Sequence, residues 1–303
     1  MNEFILKINE NPTLRELHNT AFSFSVLEKE EIPKSWILTN FFVLRYDQTL
    51  TYNVKFFLKW GCFSRKFVFY YDNMNIIEKL IMYIDRGYYI YMELNEYYIP
   101  NRPAYKNHNF YHDLLIYGYN KSNQNFSTIA YNKDGLYKSQ LISFTNIIEA
   151  YCNYKYKYEL KIMPFCVSKN YNFEKFDKNT IKKNFKRMLY SSNNRIGNNA
   201  YNELINHIDH MIDKNEKLDL RAFRTISEHA KTLIYLNDFF NIKQEDFDNL
   251  LELKKKADYI FFLAIKYNLT LSNSTIKKVK KNTIEYINSQ KILLEKLYEM
   301  IFK

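Results

Sequence analysis

Short apolar runs separated by polar turns fill residues 88–140. Four of them, at residues 88–94, 114–119, 126–131 and 137–140, are typical of strands, because each is short and bounded by glycine or polar residues. The run at 114–119 opens after a polar pair, His112 and Asp113, and Gly118 closes it. We expect these strands to pair in one antiparallel sheet.

Apolar residues at helical spacing predict helices before and after these strands in the sequence. A first helix is predicted over residues 14–30, where Thr13 and Glu16 form a capping-box pattern and Pro33 marks the end. A second is predicted from its cap, Asn73, to the terminating Gly87. A short closing helix is predicted at 144–151. Further helices are predicted at residues 179–190, 199–212, 219–240, 244–267 and 272–302.

These patterns predict an α+β protein with two domains. Residues 1–165 form the first, with N-terminal helices packed on an antiparallel sheet. Residues 166–303 form the second, an α-helical bundle with short connections. The polar and aromatic segment after residue 163 is interpreted as the connection between the two halves.

Composition narrows the function classes. Hydrophobic residues make up 47% of the chain, which excludes a disordered protein. The sequence has no apolar run of about 18 residues and no signal peptide, so we expect a cytoplasmic protein without membrane contact. The three cysteines, Cys62, Cys152 and Cys166, are too few and too irregularly spaced for a disulfide framework or a zinc ribbon.

The net charge of +11 favours an acidic partner, such as nucleic acid, an anionic membrane or an acidic carrier protein. The lysines are scattered, however, which is typical of a solvated surface. The 28 tyrosines and 24 phenylalanines fall mostly in core-like alternation, without a nucleic-acid motif. We therefore predict no nucleic-acid partner. A basic helix face is predicted at Lys277, Lys278, Lys280 and Lys281.

The candidate chemistry centres on His112. Antiparallel pairing would bring the start of its strand near Asn132 and Asp134, which follow the next strand. An imidazole beside an amide or carboxylate is half of a Cys/His/Asn arrangement for nucleophilic catalysis. His108 shares an extended face with His112, but the sequence offers no third ligand, so neither a metal nor a cofactor is predicted.

The order of these motifs resembles a known family. The motifs are Gly-Tyr-Tyr-Ile-Tyr-Met-Glu-Leu at 87–94, Tyr-Ile-Pro-Asn-Arg at 98–102, His-Asp-Leu-Leu-Ile-Tyr-Gly-Tyr at 112–119 and Phe-Ser-Thr-Ile-Ala-Tyr-Asn at 126–132. The family is that of butirosin biosynthesis protein H and its relatives beside nonribosomal peptide synthetases, including the closthioamide amide-forming enzyme. The resemblance covers residues 14–150, and more loosely the helical tail through 219–229.

The resemblance implies a papain- or C39-like cysteine-peptidase fold that acts as an acyltransferase in natural-product biosynthesis. It implies an acyl- or peptidyl-carrier protein as the thioester donor and a small-molecule amine as the acceptor. It places the nucleophile near His18, the general base at His112 and the orienting group at Asn132. Substrate contacts are expected from Tyr105, His108, Asp113 and Asp134.

The sequence departs from this family at the nucleophile, because it has no cysteine before Cys62. Either the nucleophile has been replaced, with Thr20, Ser23 and Ser25 as hydroxyls in the same helix, or the chain is a pseudoenzyme. A pseudoenzyme would act as a scaffold that binds a carrier protein or peptide. A C39-type peptidase is a third alternative, and a homodimer is left open.

Overall fold

The computed structural model describes residues 1–28, 32–66, 76–155, 162–173 and 177–303. It is a mixed α/β protein with an antiparallel sheet and a C-terminal helical region. By its contacts the chain divides into two compact units. Residues 1–31 and 55–172 form the sheet unit, and residues 32–54 and 173–303 form the helical unit. Residues 32–54 thus group with the C-terminal helices, although the sequence analysis assigned them to the N-terminal half.

Nine strands lie in the described residues: β1 (Glu3–Ile5), β2 (Leu44–Asp47), β3 (Thr49–Tyr52), β4 (Phe63–Arg65), β5 (Tyr89–Asn95), β6 (Tyr111–Asn120), β7 (Asn125–Tyr131), β8 (Tyr137–Ser143) and β9 (Ile162–Val167). The sheet has the order β4-β9-β5-β6-β7-β8, and all its pairs are antiparallel. The four predicted strands are confirmed as β5 to β8.

Gly118 lies inside β6 rather than at its end, because β6 continues to Asn120. A further strand, β1, approaches β6 at this position. β5 pairs with the first part of β6, and β1 then pairs with residues 118–120 along the next part. A Cβ atom at Gly118 would lie 2.9 Å from the carbonyl oxygen of Phe4 and 3.0 Å from Cα of Ile5. Glycine is needed here for the close approach of two backbones.

Strand β9 lies in a segment that was interpreted from the sequence as the connection between the two halves. β9 lies between β4 and β5, and residue 165, the predicted domain boundary, is inside it. Pro164 pairs with Ile90 in β5, while its carbonyl accepts the N–H of Lys66 at 2.8 Å. The side of Pro164 that lacks an N–H therefore faces the end of β4, where the loss of one donor is tolerated.

Nine α-helices lie in the described residues: α1 (His18–Leu27), α2 (Lys34–Asn40), α3 (Ile76–Asp85), α4 (Phe144–Cys152), α5 (Lys178–Tyr190), α6 (Ala200–Lys214), α7 (Leu220–Ile234), α8 (Gln244–Thr270) and α9 (Asn273–Phe302). The predicted cap Asn73 lies outside the described residues. Gly87 ends α3 as predicted, with φ of +82° and its N–H donated to Ile84.

Helix α1 begins four residues later than the sequence predicted. The predicted capping box does not form, because the N–H of Thr13 donates to Glu28 and the carboxylate of Glu16 accepts the hydroxyl of Thr20. Every residue from Thr20 to Leu27 is buried. The helix is therefore enclosed on all sides within the sheet unit, which explains its weak amphipathic pattern.

The helical unit contains α2, the β2–β3 hairpin and helices α5 to α9. Asp177 caps α5 by accepting the N–H groups of Asn179 and Thr180, and Asp219 caps α7 through the N–H of Arg221. The helix predicted over 219–240 ends at Ile234 and continues as a 3-10 turn, Tyr235–Asp238. In the part of the chain that the structure describes, every helix is too short or too polar to span a bilayer.

Candidate active site

Two histidines meet within the sheet unit. His18 is the first residue of α1, and His112 is the second residue of β6. Their rings meet edge to face, with centroids 4.3 Å apart and an interplanar angle of 60°. Tyr131, the last residue of β7, closes the other side of His18, with ring centroids 4.9 Å apart. The start of the first helix thus faces the start of the central strand β6.

Asp113 lies between the two imidazoles. Its Oδ1 is 2.5 Å from Nδ1 of His112 and 3.7 Å from Nδ1 of His18. The Asp113 side chain is only 12% exposed, whereas that of His112 is 31% exposed. A carboxylate this deeply buried requires hydrogen-bond donors or positive partners, and the two imidazoles lie next to it.

Nδ1 of His112 faces two groups of the same neighbouring residue. The N–H of Asp113 points at it from 2.8 Å, and the Asp113 carboxylate lies at 2.5 Å. One nitrogen cannot accept the amide and donate to the carboxylate at the same time. Because two lone pairs repel at 2.5 Å, a positive centre must lie between nitrogen and oxygen. When that centre is a proton on Nδ1, Nε2 of His112 keeps its lone pair.

The charges of the cluster shift its acid–base equilibria. Burial raises the pKa of Asp113, but the positive charges of His18, His112 and Arg102 and the hydrogen bond of His112 outweigh it, so the pKa lies well below its usual range. Burial lowers the pKa of His112, but the hydrogen bond and negative charge of Asp113 outweigh it, and the net shift is upward. Asp113 is therefore ionised and stabilises a protonated His112.

A buried arginine holds the two strands that carry the cluster. Arg102 pairs with Glu96, its Nε donating to Oε1 at 2.6 Å, and both side chains are under 5% exposed. The same guanidinium donates to the carbonyl oxygens of Tyr131 and of Asp113. The regular pairing of β6 with β7 ends at Leu115, which pairs with Ile129 on β7. Arg102 thus bridges the strands where their ladder stops.

The backbone N–H of Tyr131 also bonds to a side chain instead of to the neighbouring strand. It donates to Nε2 of His18 at 3.3 Å. A neutral His18 that accepts this bond carries its proton on Nδ1, which faces Asp113. The opening of the β6–β7 ladder therefore creates the space into which the His18 ring fits.

A small cavity of about 260 Å³ adjoins the cluster; it is lined by Tyr91, Glu93, Tyr111, His112 and Asp113. Glu93 lies directly opposite Asp113 in the β5–β6 register. Its carboxylate accepts the hydroxyl of Tyr91 at 3.1 Å and that of Tyr154 at 2.9 Å. Burial and the charges of Asp113 and Glu93 raise the pKa of Tyr91, which remains a neutral donor. The cavity wall is anionic and aromatic.

The structure brings together His18, His112 and Asp113 of the predicted site residues. Asp113, predicted as a substrate contact, is the group that contacts the imidazoles. Asn132 does not take the orienting role that was predicted for it. Its Oδ1 accepts the N–H groups of Asp134 and Leu136 at 2.9 Å each and stabilises its own turn.

The remaining predicted residues lie elsewhere on the loops. Asp134 is exposed at the tip of the β7–β8 turn. His108 is exposed, and its ring meets that of Phe110 edge to face, with centroids 6.3 Å apart. Tyr105 is half-buried beneath the ammonium group of Lys106. Tyr105 and His108 thus precede β6, and Asp134 follows β7.

The hydroxyl groups of α1 are occupied by buried hydrogen bonds. Thr20 donates to Glu16 at 2.9 Å, Ser23 donates to the carbonyl of Thr20 at 2.8 Å, and the hydroxyl of Ser25 lies 3.0 Å from that of Tyr137. Buried hydroxyls with such partners are packing residues, so none of the three is placed as a nucleophile.

The three cysteines lie on other elements. Cys62 precedes β4, Cys152 ends α4 and Cys166 lies in β9. Burial raises the pKa of Cys62 to about 12, which keeps its thiol protonated at neutral pH. The helix start that faces His112 carries the imidazole of His18.

Sequence reasoning missed Arg102 and Glu96 as members of the site. A charged residue between two prolines, as in Pro100-Asn101-Arg102-Pro103, is the available signal. Pairing it with a particular buried acid requires the tertiary structure.

His18, His112 and Asp113 are also the described side chains suited to hold a metal ion, because one ligand atom from each lies within 4.8 Å of the others. No protein-family model matches the chain, and no curated protein matches it.

Proposed function

We propose that the sheet unit has a papain- or C39-like fold and transfers an acyl group from a carrier-protein thioester to an amine. The observation that carries the proposal is the contact between the first residue of α1 and the histidine of β6, with ring centroids 4.3 Å apart. In the butirosin H-like family that the motifs resemble, these are the positions of the nucleophile and the general base.

We propose direct transfer, without a covalent acyl-enzyme. Nε2 of His112 takes a proton from the amine as the amine nitrogen attacks the thioester carbonyl. The C–N bond forms, the C–S bond breaks, and His112 returns the proton to the departing thiolate. Asp113 holds the imidazole through Nδ1 and balances its charge. A direct mechanism is favoured because the α1 hydroxyls are occupied and the thiols lie on other elements.

The carrier protein is proposed to dock through charge. Carrier proteins that bind such enzymes would need an acidic surface to match this chain, whose net charge is +11. On α9, Lys277, Lys278 and Lys281 are exposed, while Lys280 pairs with Asp209 at 2.5 Å. Replacing Lys277 and Lys278 by Glu is expected to weaken carrier binding and to make the remaining binding less dependent on salt concentration.

The test compares wild type with His112→Gln and with His210→Gln, an exposed histidine on α6, as the matched control. An acyl-loaded carrier protein and a panel of amines are supplied, and amide product is measured by mass spectrometry. We expect His112→Gln to lose about 10²–10⁴-fold in turnover, the usual contribution of a general base, and His210→Gln to keep its activity. Sequential kinetics, without an acylated protein intermediate, distinguish direct transfer from a ping-pong mechanism. Equal turnover of both variants excludes His112 as the base.

The second candidate function is a scaffold that binds the carrier protein or a peptide without chemistry. The imidazole at position 18, in place of a thiol, favours it. Tight carrier binding by wild type with no product from any amine, and no labelling by a thioester analogue, would support the scaffold and contradict the transferase.

A further inference from the structure

We propose that His18, His112 and Asp113 form a binding site for a divalent transition-metal ion such as Zn²⁺. One ligand atom from each residue lies within 4.8 Å of the others. The site goes beyond the proposed acyl transfer, because metal binding does not depend on any reaction.

The ligand set suits zinc and related borderline metals. Two imidazoles and one carboxylate are the three protein ligands typical of an open zinc site, with water in the fourth position. Tetrahedral ligands at zinc distances lie about 3.3 Å from one another. Oδ1 of Asp113 and Nδ1 of His18 are already 3.7 Å apart. The 2.5 Å separation between Asp113 and His112 must open by roughly 1 Å, which rotations of two neighbouring side chains can supply.

A cation would stabilise the Asp113 carboxylate oxygen that lies next to His112. Oδ1 is buried, and Nδ1 of His112 lies only 2.5 Å from it. Two lone pairs this close need a positive centre between them, and a metal ion meets that need as a proton does.

The surroundings favour a cation and give it access. Glu93 lies opposite Asp113 across the β5–β6 pair and adds a second carboxylate. The positive charge of Arg102 is balanced by its own partner, Glu96. The cavity of about 260 Å³ reaches both His112 and Asp113, so it offers a path for the ion and room for a water ligand.

Binding has an identifiable cost at His18. Its Nε2 accepts the N–H of Tyr131 at 3.3 Å, which leaves the proton on Nδ1. Ligation through Nδ1 moves that proton to Nε2 and gives up this hydrogen bond. The bond is long, and a weak hydrogen bond is readily exchanged for a metal–nitrogen bond.

Metal and base catalysis use the same imidazole of His112. An ion held by Nδ1 displaces the proton that links the ring to Asp113. In the neutral, metal-bound ring that proton lies on Nε2, so Nε2 no longer has the lone pair with which a base accepts a proton. We therefore expect saturating Zn²⁺ to inhibit the proposed acyl transfer. Metal binding itself is measured without any substrate, so its failure and the failure of the proposed function are distinguishable.

The experiment uses the full chain after treatment with a chelator. Zn²⁺ is titrated by calorimetry, and Co²⁺ is followed by its visible absorption, which reports nitrogen and oxygen ligation in a tetrahedral or five-coordinate site. Wild type, His18→Gln and Asp113→Asn are compared with two controls, His108→Gln near the entrance and His210→Gln on α6. Circular dichroism checks that each variant is folded.

We expect one equivalent of metal to bind wild type and both controls. Affinity should fall in His18→Gln and Asp113→Asn by more than the roughly 10–100-fold that outer-shell changes cost. If Asp113→Asn fails to fold, His18→Gln alone decides. The proposal is overturned if wild type binds no stoichiometric metal, or if His18→Gln binds it as tightly as wild type.

Discussion

His18 and His112 face each other edge to face, with ring centroids 4.3 Å apart, although 93 positions of sequence separate them. The contact is set by backbone geometry. His18 begins a helix enclosed within the sheet unit, and His112 lies where β6 diverges from β7. The Asp113 carboxylate lies between the two imidazoles, with Oδ1 2.5 Å from Nδ1 of His112 and 3.7 Å from Nδ1 of His18.

The first prediction places a thiol at position 18. In His18→Cys, the new side chain lies at a helix N-terminus beside the His112 imidazole, two features that lower a thiol pKa. Incubation with an acyl thioester should add one acyl group to this variant, as measured by intact mass. Wild type and His18→Ala, which keep the same three native cysteines, should gain none. An acyl group found equally on all three proteins would show that a native cysteine reacts instead.

The sequence predicted the elements that depend on local periodicity and not those that depend on long-range contacts. Strands β5 to β8 follow short apolar runs, so they were predicted correctly. The start of α1 was misplaced, because the capping residues Thr13 and Glu16 found other partners in space. Strand β9 was missed, because Pro164 argues against a strand unless the end of a neighbouring strand is known.

The site residues show the same difference between local sequence signals and contacts that depend on the tertiary structure. His112 was found because a polar residue opening an apolar strand is conspicuous in a sequence. The partner of His112 was predicted among residues across the sheet, but Asn132 stabilises its own turn, and the adjacent Asp113 contacts the ring. Alternating strand residues normally point to opposite faces, so this neighbour contact could not be read from periodicity.

The second prediction concerns the buried ion pair. Arg102→Met leaves the Glu96 carboxylate buried without its partner, and it removes the donor to the carbonyls of Asp113 and Tyr131. Loss of one member of a buried pair costs about 3–5 kcal/mol, so we expect a decrease of this size in the free energy of unfolding by urea. The exposed Arg86→Met is the matched control and should change little.

A double variant separates charge from packing at this pair. Adding Glu96→Gln to Arg102→Met removes the unpaired charge and should recover part of the lost stability. If Arg102→Met alone costs less than about 1 kcal/mol, the pair contributes little and the strands are held by other contacts.

The third prediction concerns the approach of β1 to β6. Gly118→Ala places a Cβ atom 2.9 Å from the carbonyl oxygen of Phe4, closer than real Cβ contacts. We expect a loss of about 1–3 kcal/mol in the free energy of unfolding, with faster hydrogen exchange at Leu6, whose N–H donates to Tyr117. In a chain lacking residues 1–5 the same substitution should cost much less. Equal costs in both backgrounds would exclude a clash with β1.

The last prediction concerns pH and the helical unit. His229 is fully buried on α7; its Nε2 contacts the carbonyl of Phe42 at 2.8 Å, and its Nδ1 faces the amide nitrogen of Gln290 at 3.2 Å. The amide nitrogen also donates to the hydroxyl of Tyr286. Burial lowers the pKa of His229 to about 4, because the charged ring would lose its hydration, and the bond to Phe42 only partly offsets this.

A histidine whose folded pKa lies below its unfolded value stabilises the protein at high pH. The unfolded chain takes up this proton near pH 6.5 and the folded chain near pH 4, so stability is lost as pH falls through that window. The loss amounts to about 3 kcal/mol at most. Urea unfolding monitored on the helical unit should therefore show a smaller fall between pH 6.5 and 4 in His229→Gln than in wild type. The exposed His210→Gln should retain the wild-type slope, and an unchanged slope in His229→Gln would assign the acid sensitivity to other groups.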